Sequence, residues 1–325
     1  MHDRAGRVSA PPQFAAETDA SGRFVRQASA FRGTVAPGGD HPPEAGRYHL
    51  YVSLACPWAH RVVIARRLKG LEDVIGMTVV DPVRDERGWA FRDGPGWSSD
   101  PVNGFAFLAE AYAATDPAWR GRVTVPVLWD RVTGSIVNNE SEDILRILDS
   151  AFGALARPAP VLRPADLADE IDAVNARVYR DINNAVYRAG FAASQEAYDE
   201  AVEDLAGGLA MVEEILARER WLAGNRFTEA DIRLFTTLVR FDPVYHTHFK
   251  CNARLIADSP PLLGFVRDVA QIPGVMGTIA MDQIKAHYYL THGMLNPAGI
   301  VPVSDGPDLT VGHGRDGFGP PALGS

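Results

Sequence analysis

The chain has 325 residues, 46% hydrophobic and 22% charged, a globular composition with room for two domains of ordinary size. Its formal net charge is −9 with no basic cluster, which argues against nucleic acid and anionic membrane surfaces as partners. Two cysteines exclude a disulfide scaffold, and no stretch approaches the roughly 20 apolar residues of a membrane span.

Residues 1–45 are rich in Gly, Pro, Ala and Arg and are expected to form an extension that wraps the body or stays partly mobile. The first thirty residues hold no continuous apolar run, and Asp3, Glu17 and Asp19 fit poorly with a transit peptide. A cytoplasmic location is therefore expected. From residue 46 to 155 strand and helix signals alternate. His49–Ser53 reads as a strand, Pro57–Leu68 as a helix ending near Gly70, and Gly76–Asp81 as a second strand. Residues 84–104 hold four glycines and Pro95 and read as a loop. Phe105–Ala114 then reads as a helix, Val123–Trp129 and Ser135–Val137 as strands around a turn at Asp130–Gly134, and Glu142–Leu148 as a helix. This βαβ…ββα order is thioredoxin-like.

Residues 160–300 read as all-helical. Pro164 opens an amphipathic segment with Ile171, Val174, Val178, Ile182 and Val186 at spacings of three or four, stopped at Gly190. Tyr198–Leu216 is a second helix, and Thr228–Asp231 is a capping box with Asp in place of Glu. Residues 301–325 form a Gly- and Pro-rich tail. The expected fold is α/β followed by all-α: a thioredoxin-like domain, then a helical domain, the architecture of glutathione transferases.

Cys56 carries the chemistry. It follows an apolar strand and precedes Pro57, which suits the first position of a helix. Cys56 is therefore expected at the N-cap, where free N–H groups and the helix dipole favour a thiolate, with Arg61 adding to the field. A buried structural cysteine is the alternative. Position 59, where a dithiol motif carries its second cysteine, is Ala, and Cys251 lies far off in sequence. A mixed disulfide on Cys56 would need an external thiol, which points to a glutathione-dependent monothiol enzyme. Cys251 itself reads as a small buried residue, and His60, one turn after Cys56, as facing the domain interior.

The motifs Ser53–Arg61, Gly121–Trp129, Ile136–Ser141, Asp181–Phe191, Thr228–Phe235 and Arg240–Tyr245 occur in order. His248–Asn252, Ile284–Tyr289 and Asn296–Pro302 complete the set. On these stretches the chain resembles the glutathionyl-hydroquinone reductases, the Xi class of the glutathione transferase superfamily, from about residue 22 to 303. Two features depart from that resemblance: Gln283 stands where His is common, and Asp93–Asn103 has no clear family pattern.

The resemblance implies glutathione as substrate and reductant, glutathionyl-quinols as partner substrates, no metal, and a homodimer. Val125–Pro126 is where thioredoxin-like domains place a cis-proline, leaving the Val125 backbone to pair with the cysteinyl part of glutathione. Glu140 and Ser141, at a strand-to-helix junction, would hold the γ-glutamyl ammonium and carboxylate. Trp89 and Arg122 match family residues that contact glutathione. Tyr187 and Tyr288 match tyrosines of the acceptor pocket, and with Cys56 they form the expected catalytic set. His248 and His287 lack metal-ligand spacing. The implied reaction is reduction of a glutathionyl-hydroquinone through a Cys56–glutathione mixed disulfide, releasing oxidised glutathione. An omega-like thiol transferase or dehydroascorbate reductase is a second reading, and a redox-sensing protein without turnover a third.

Overall fold

The computed structural model describes residues 17–320. Strands β1 (Tyr48–Val52), β2 (Gly76–Val79), β3 (Val127–Asp130) and β4 (Ser135–Asn138) form one sheet in the order β2-β1-β3-β4. β1 and β2 are parallel; β1–β3 and β3–β4 are antiparallel. Every residue of β1 and β3 is buried, as befits central strands covered on both faces. Helices α1 (Pro57–Leu68) and α3 (Ser141–Ser150) pack on each other, and α2 (Leu108–Thr115) packs on β4.

Several boundaries differ by one to four residues from those expected, two of them for a visible reason. The helix expected from Phe105 starts at Leu108, because the Glu110 carboxylate accepts from the N–H groups of Ala106 and Phe107 and fixes the turn before it. The strand expected from Val123 joins the ladder only at Val127, after a cis Val125–Pro126 bond.

The remainder is helical: α4 (Ala168–Val178), α5 (Ala185–Gly190), α6 (Gln195–Leu216), α7 (Glu229–Leu238), α8 (His246–His248), α9 (Pro260–Gln271) and α10 (Met281–Thr291). The amphipathic segment from Pro164 is not one helix. It opens in a 3₁₀ turn and is interrupted by a π-helical turn at Tyr179–Asn183. A second π turn, Phe241–Tyr245, follows α7. Such turns re-aim side chains and occur often at functional sites. Gly190 is needed for packing rather than for a turn: a Cβ there would lie 2.3 Å from the Phe249 ring. The Thr228–Asp231 capping box forms as expected, with Thr228 N–H donating to Asp231 at 2.9 Å.

The described part of the N-terminal extension lies along the body. Gly33 N–H donates to Val137 O at 2.9 Å, and Phe24 packs on Phe191. In the tail, buried Arg315 donates to the carbonyls of Leu216, Glu219 and Arg220. Among the described residues no helix is long and apolar enough to cross a membrane.

Candidate active site

Cys56 caps α1 in extended geometry, with Pro57 following and its own C=O accepting from His60 N–H at 2.9 Å. The thiol makes no capping bond and points toward Val125 O, 3.7 Å away. It is half-buried, whereas Cys251 is buried. Burial pushes the Cys251 thiol up to about 12. Cys56 opens on a cleft of about 730 Å³, and all eight residues expected to form the site line it.

Buried side chains fasten the turn before Cys56 to the helical region. Arg240, fully buried, donates to Leu54 O at 3.0 Å, Ala55 O at 2.9 Å and Thr236 O at 2.7 Å. Its fourth partner is His60 Nδ1 at 3.0 Å. An arginine only donates, so His60 Nδ1 accepts and its Nε2 carries the proton, which faces Thr278 Oγ1 at 2.8 Å. Both ring nitrogens are thereby used, and burial holds the imidazole well below its ordinary pKa. His60 is a strut, as its expected interior orientation implies.

Arg61 does not play the part expected of it. It is buried, donates to Asn183 Oδ1 at 2.7 Å and stacks on Trp58. The guanidiniums in electrostatic range of the Cys56 sulfur are Arg84 and Arg26. Arg84 stacks on Trp89, and Arg26 stacks on Trp58 and Tyr187.

On the β3–β4 side of Cys56, the Val125 N–H makes no hydrogen bond among the described residues. Glu140 accepts from Ser29 Oγ at 2.9 Å, and from Ser141 Oγ and Glu142 N–H at 3.3 Å. It thus caps α3 as well as lining the cleft. Arg122 donates to Glu17 at 2.7 Å, which uses one of its five donor hydrogens. Trp89 is a wall residue, 5% exposed and stacked on His287 with centroids 5.0 Å apart. It belongs to the core more than its glycine-rich setting suggests.

On the opposite wall the Tyr187 and Tyr288 hydroxyls are 2.6 Å apart. Tyr245, from the second π turn, extends the chain with its hydroxyl 3.0 Å from that of Tyr288. The phenols are not ordinary in acidity. Burial pushes Tyr245 and Tyr288 well above the usual range and raises Tyr187, on which the Cys56 sulfur also acts. All three stay neutral donors at physiological pH.

Sequence reasoning missed Arg84, Arg26, Tyr245 and Arg240 as parts of this site. Tyr245 stood inside a quoted motif, but only the fold shows that its hydroxyl meets that of Tyr288. The two departures from the family pattern prove to be one feature. Gln283 Nε2 reaches Pro95 O and Gly96 O at 3.4 and 3.3 Å, so the unusual loop packs on the unusual side chain. Among the described residues, no group of three or more His, Cys, Asp or Glu side chains is arranged to hold a metal ion.

Two family models match: Glutathione S-transferase, N-terminal domain, over residues 55–151, and Glutathione S-transferase, C-terminal domain, over residues 195–268. The chain is 51% identical to glutathionyl-hydroquinone reductase YqjG of Escherichia coli, covering 91% of this chain and 93% of that protein. It is 50% identical to glutathionyl-hydroquinone reductase PcpF of Sphingobium chlorophenolicum, covering 89% and 93%. Among solved structures, the glutathione-bound form of YqjG superposes with a TM-score of 0.85 at 50% identity, covering 88% of this chain and 96% of that one. The Xi glutathione S-transferase of Phanerochaete chrysosporium gives 0.86 at 47% identity, covering 88% and 94%. A free cysteine at a helix start, a cis-proline beside it and a helical second half thus meet close relatedness across most of the chain, and the protein belongs to the glutathionyl-hydroquinone reductases, the Xi class of the glutathione transferase superfamily.

Proposed function

We propose that the protein reduces glutathionyl-hydroquinones to hydroquinones with glutathione as reductant, Cys56 being the nucleophile. The observation that carries this is a single accessible thiol at a helix start, facing a chain of neutral phenols across one cleft. Val125 offers its unpaired N–H to the cysteinyl backbone of glutathione. Ser141, with the free N–H groups of α3, takes the γ-glutamyl carboxylate, and Glu140 the ammonium. Arg122 has donors left for the glycyl carboxylate.

In the first step the Cys56 thiolate attacks the glutathione sulfur of the substrate. The new S–S bond forms as the S–C bond breaks, and the electron pair leaves with the ring carbon, which gains a proton. Tyr187 and Tyr288 supply and orient that proton, and Tyr245 backs Tyr288. In the second step a free glutathione thiolate attacks the mixed disulfide, releasing oxidised glutathione and the Cys56 thiolate. One substrate and one glutathione give one hydroquinone and one oxidised glutathione. With Ala at position 59 and Cys251 buried, the external thiol has no internal competitor here.

With excess glutathione, hydroquinone and oxidised glutathione should appear in equal amounts, and dehydroascorbate should turn over far more slowly. Faster turnover of dehydroascorbate would favour thiol transfer instead. The functional unit proposed is a homodimer. Its support is a run of exposed apolar side chains: Met294 at 74%, Ile300 at 69% and Val303 at 97% exposure. Light scattering at micromolar concentration giving the 35.3 kDa monomer mass would contradict it. A free catalytic thiol and a thiol reductant suit a cytoplasmic setting.

A further inference from the structure

The ends of the strands lay the cleft out in sheet order. Arg84 follows β2 at one edge, Cys56 follows β1, Arg122 and Val125 precede β3, and Glu140 follows β4 at the other edge. Of the groups expected to hold glutathione, Arg122, Val125, Glu140 and Ser141 lie on the β3–β4 side of the sulfur, while Trp89 follows β2. Arg84, within electrostatic range of Arg122, is docked on the helix that carries Tyr288. Its N–H donates to Thr291 Oγ1 of α10 at 3.2 Å, and Pro82 O bonds His287 Nδ1 of α10 at 2.7 Å. The guanidinium stacks 5.0 Å above Trp89, which is itself stacked on His287. Arg84 therefore belongs to the acceptor wall.

Its charge is not matched there. Arg84 forms no ion pair among the described residues, and its Nε is sealed from solvent without a partner. Of the carboxylates, Glu17 acts on it, but that group is bonded to Arg122. A partly desolvated cation without a counter-ion is costly. Burial lowers Arg84 to about 10, so it stays cationic at neutral pH. When ionised, the Cys56 sulfur is one negative charge in range of both Arg84 and Arg26, and Arg26 also has no ion pair among the described residues. Once Cys56 is in a mixed disulfide, even that charge is gone.

We propose that Arg84 binds an anionic substituent of the acceptor, and that the preferred substrates are glutathionyl-hydroquinones bearing a ring carboxylate. Trp89 and Tyr187 bracket the aromatic ring, and Arg84 takes the carboxylate by charge-assisted hydrogen bonds. This rests on the reductase reading of the same site.

The test compares glutathionyl-2,5-dihydroxybenzoate with its methyl ester, which differs in charge but keeps the ring and the reacting bond. The native protein should favour the acid in kcat/KM by about tenfold or more, as expected for one buried charge-assisted contact. Arg84→Met should bring that ratio near one, and Arg84→Lys should keep a smaller preference for the acid. A native ratio near one, or a ratio unmoved in Arg84→Met, would overturn the proposal. Two alternatives give distinct patterns. If Arg84 serves a glutathione carboxylate, Arg84→Met weakens glutathione binding by calorimetry and leaves the ratio in place. If it serves only the thiolate, the pH midpoint of Cys56 alkylation by iodoacetamide shifts and the ratio does not. Either pattern also overturns the proposal. Turnover of neither compound by the native protein would remove the reductase reading and this inference with it.

Discussion

The contrast between the two cysteines is the sharpest feature at the residue scale. Cys56 stands at a helix start beside a cleft, and Cys251 is buried with its thiol pushed up to about 12. Oxidised glutathione should therefore add a single glutathione, located on Cys56 by peptide mapping, and Cys56→Ala should lose reductase turnover while the fold persists. The tyrosines give a second residue-scale prediction. Phenylalanine at 187 or 288 removes one hydroxyl from a bonded pair 2.6 Å apart and keeps the ring. Each change should lower kcat by roughly tenfold to a thousandfold, the range of general acid assistance, while glutathionylation of Cys56 persists. Tyr245→Phe should give a smaller loss, because that hydroxyl sits behind the pair and reaches the cleft through Tyr288 and Tyr187. Full activity of the double variant at 187 and 288 would assign the proton to another group.

At the scale of elements, the catalytic turn depends on a partner far along the chain. Arg240 serves Leu54, Ala55, Thr236 and His60, all inside the protein. Arg240→Met would leave these acceptors buried without donors, at a cost of about 2–4 kcal/mol. Urea unfolding should show that loss, and Cys56 glutathionylation should slow as the turn loosens. Stability within error of the native protein would mean that water replaces the guanidinium. The difference between what was legible in the sequence and what was not follows the same division. The strand–Cys–Pro junction, the cis-proline position, the start of α3 at Ser141 and the Thr228 cap are local, set by residues within a few positions of one another. Arg240, Arg84, Arg26 and Tyr245 act across long separations: Arg240 and Ala55 are 185 residues apart. An arginine in a sequence, even one that opens a motif as Arg240 does, carries no sign of which carbonyl or ring it will meet. The helix boundaries moved for a related reason, since a side chain such as Glu110 can close a turn before periodicity begins.

The whole molecule carries an acid sensitivity set by its buried histidines. Burial lowers His49 and His248 to about 4 and His287 to about 3, and holds His60 and His292 well below 6.5. All five are neutral in the fold and protonate near pH 6.5 in the unfolded chain. Below that pH the unfolded state binds more protons, so stability is present above about 6.5 and is lost as pH falls toward 4. Asp231, raised to about 7, and Asp242, raised by burial, act in the opposite sense over part of this window. Five groups against two leave a net loss on the order of several kcal/mol. Urea midpoints between pH 7 and 4.5 should fall accordingly, and a flat profile would mean that the histidines protonate within the fold.

All these scales meet in the assignment of glutathione transfer to Cys56 as the chemical step, and a single turnover without free glutathione tests it most directly. Protein in excess is mixed with glutathionyl-hydroquinone, and both products are followed by mass spectrometry. One hydroquinone should be released per glutathione gained by the protein, all of it on Cys56, with no oxidised glutathione until free glutathione is added. Release of hydroquinone with Cys56 left unmodified would contradict the account.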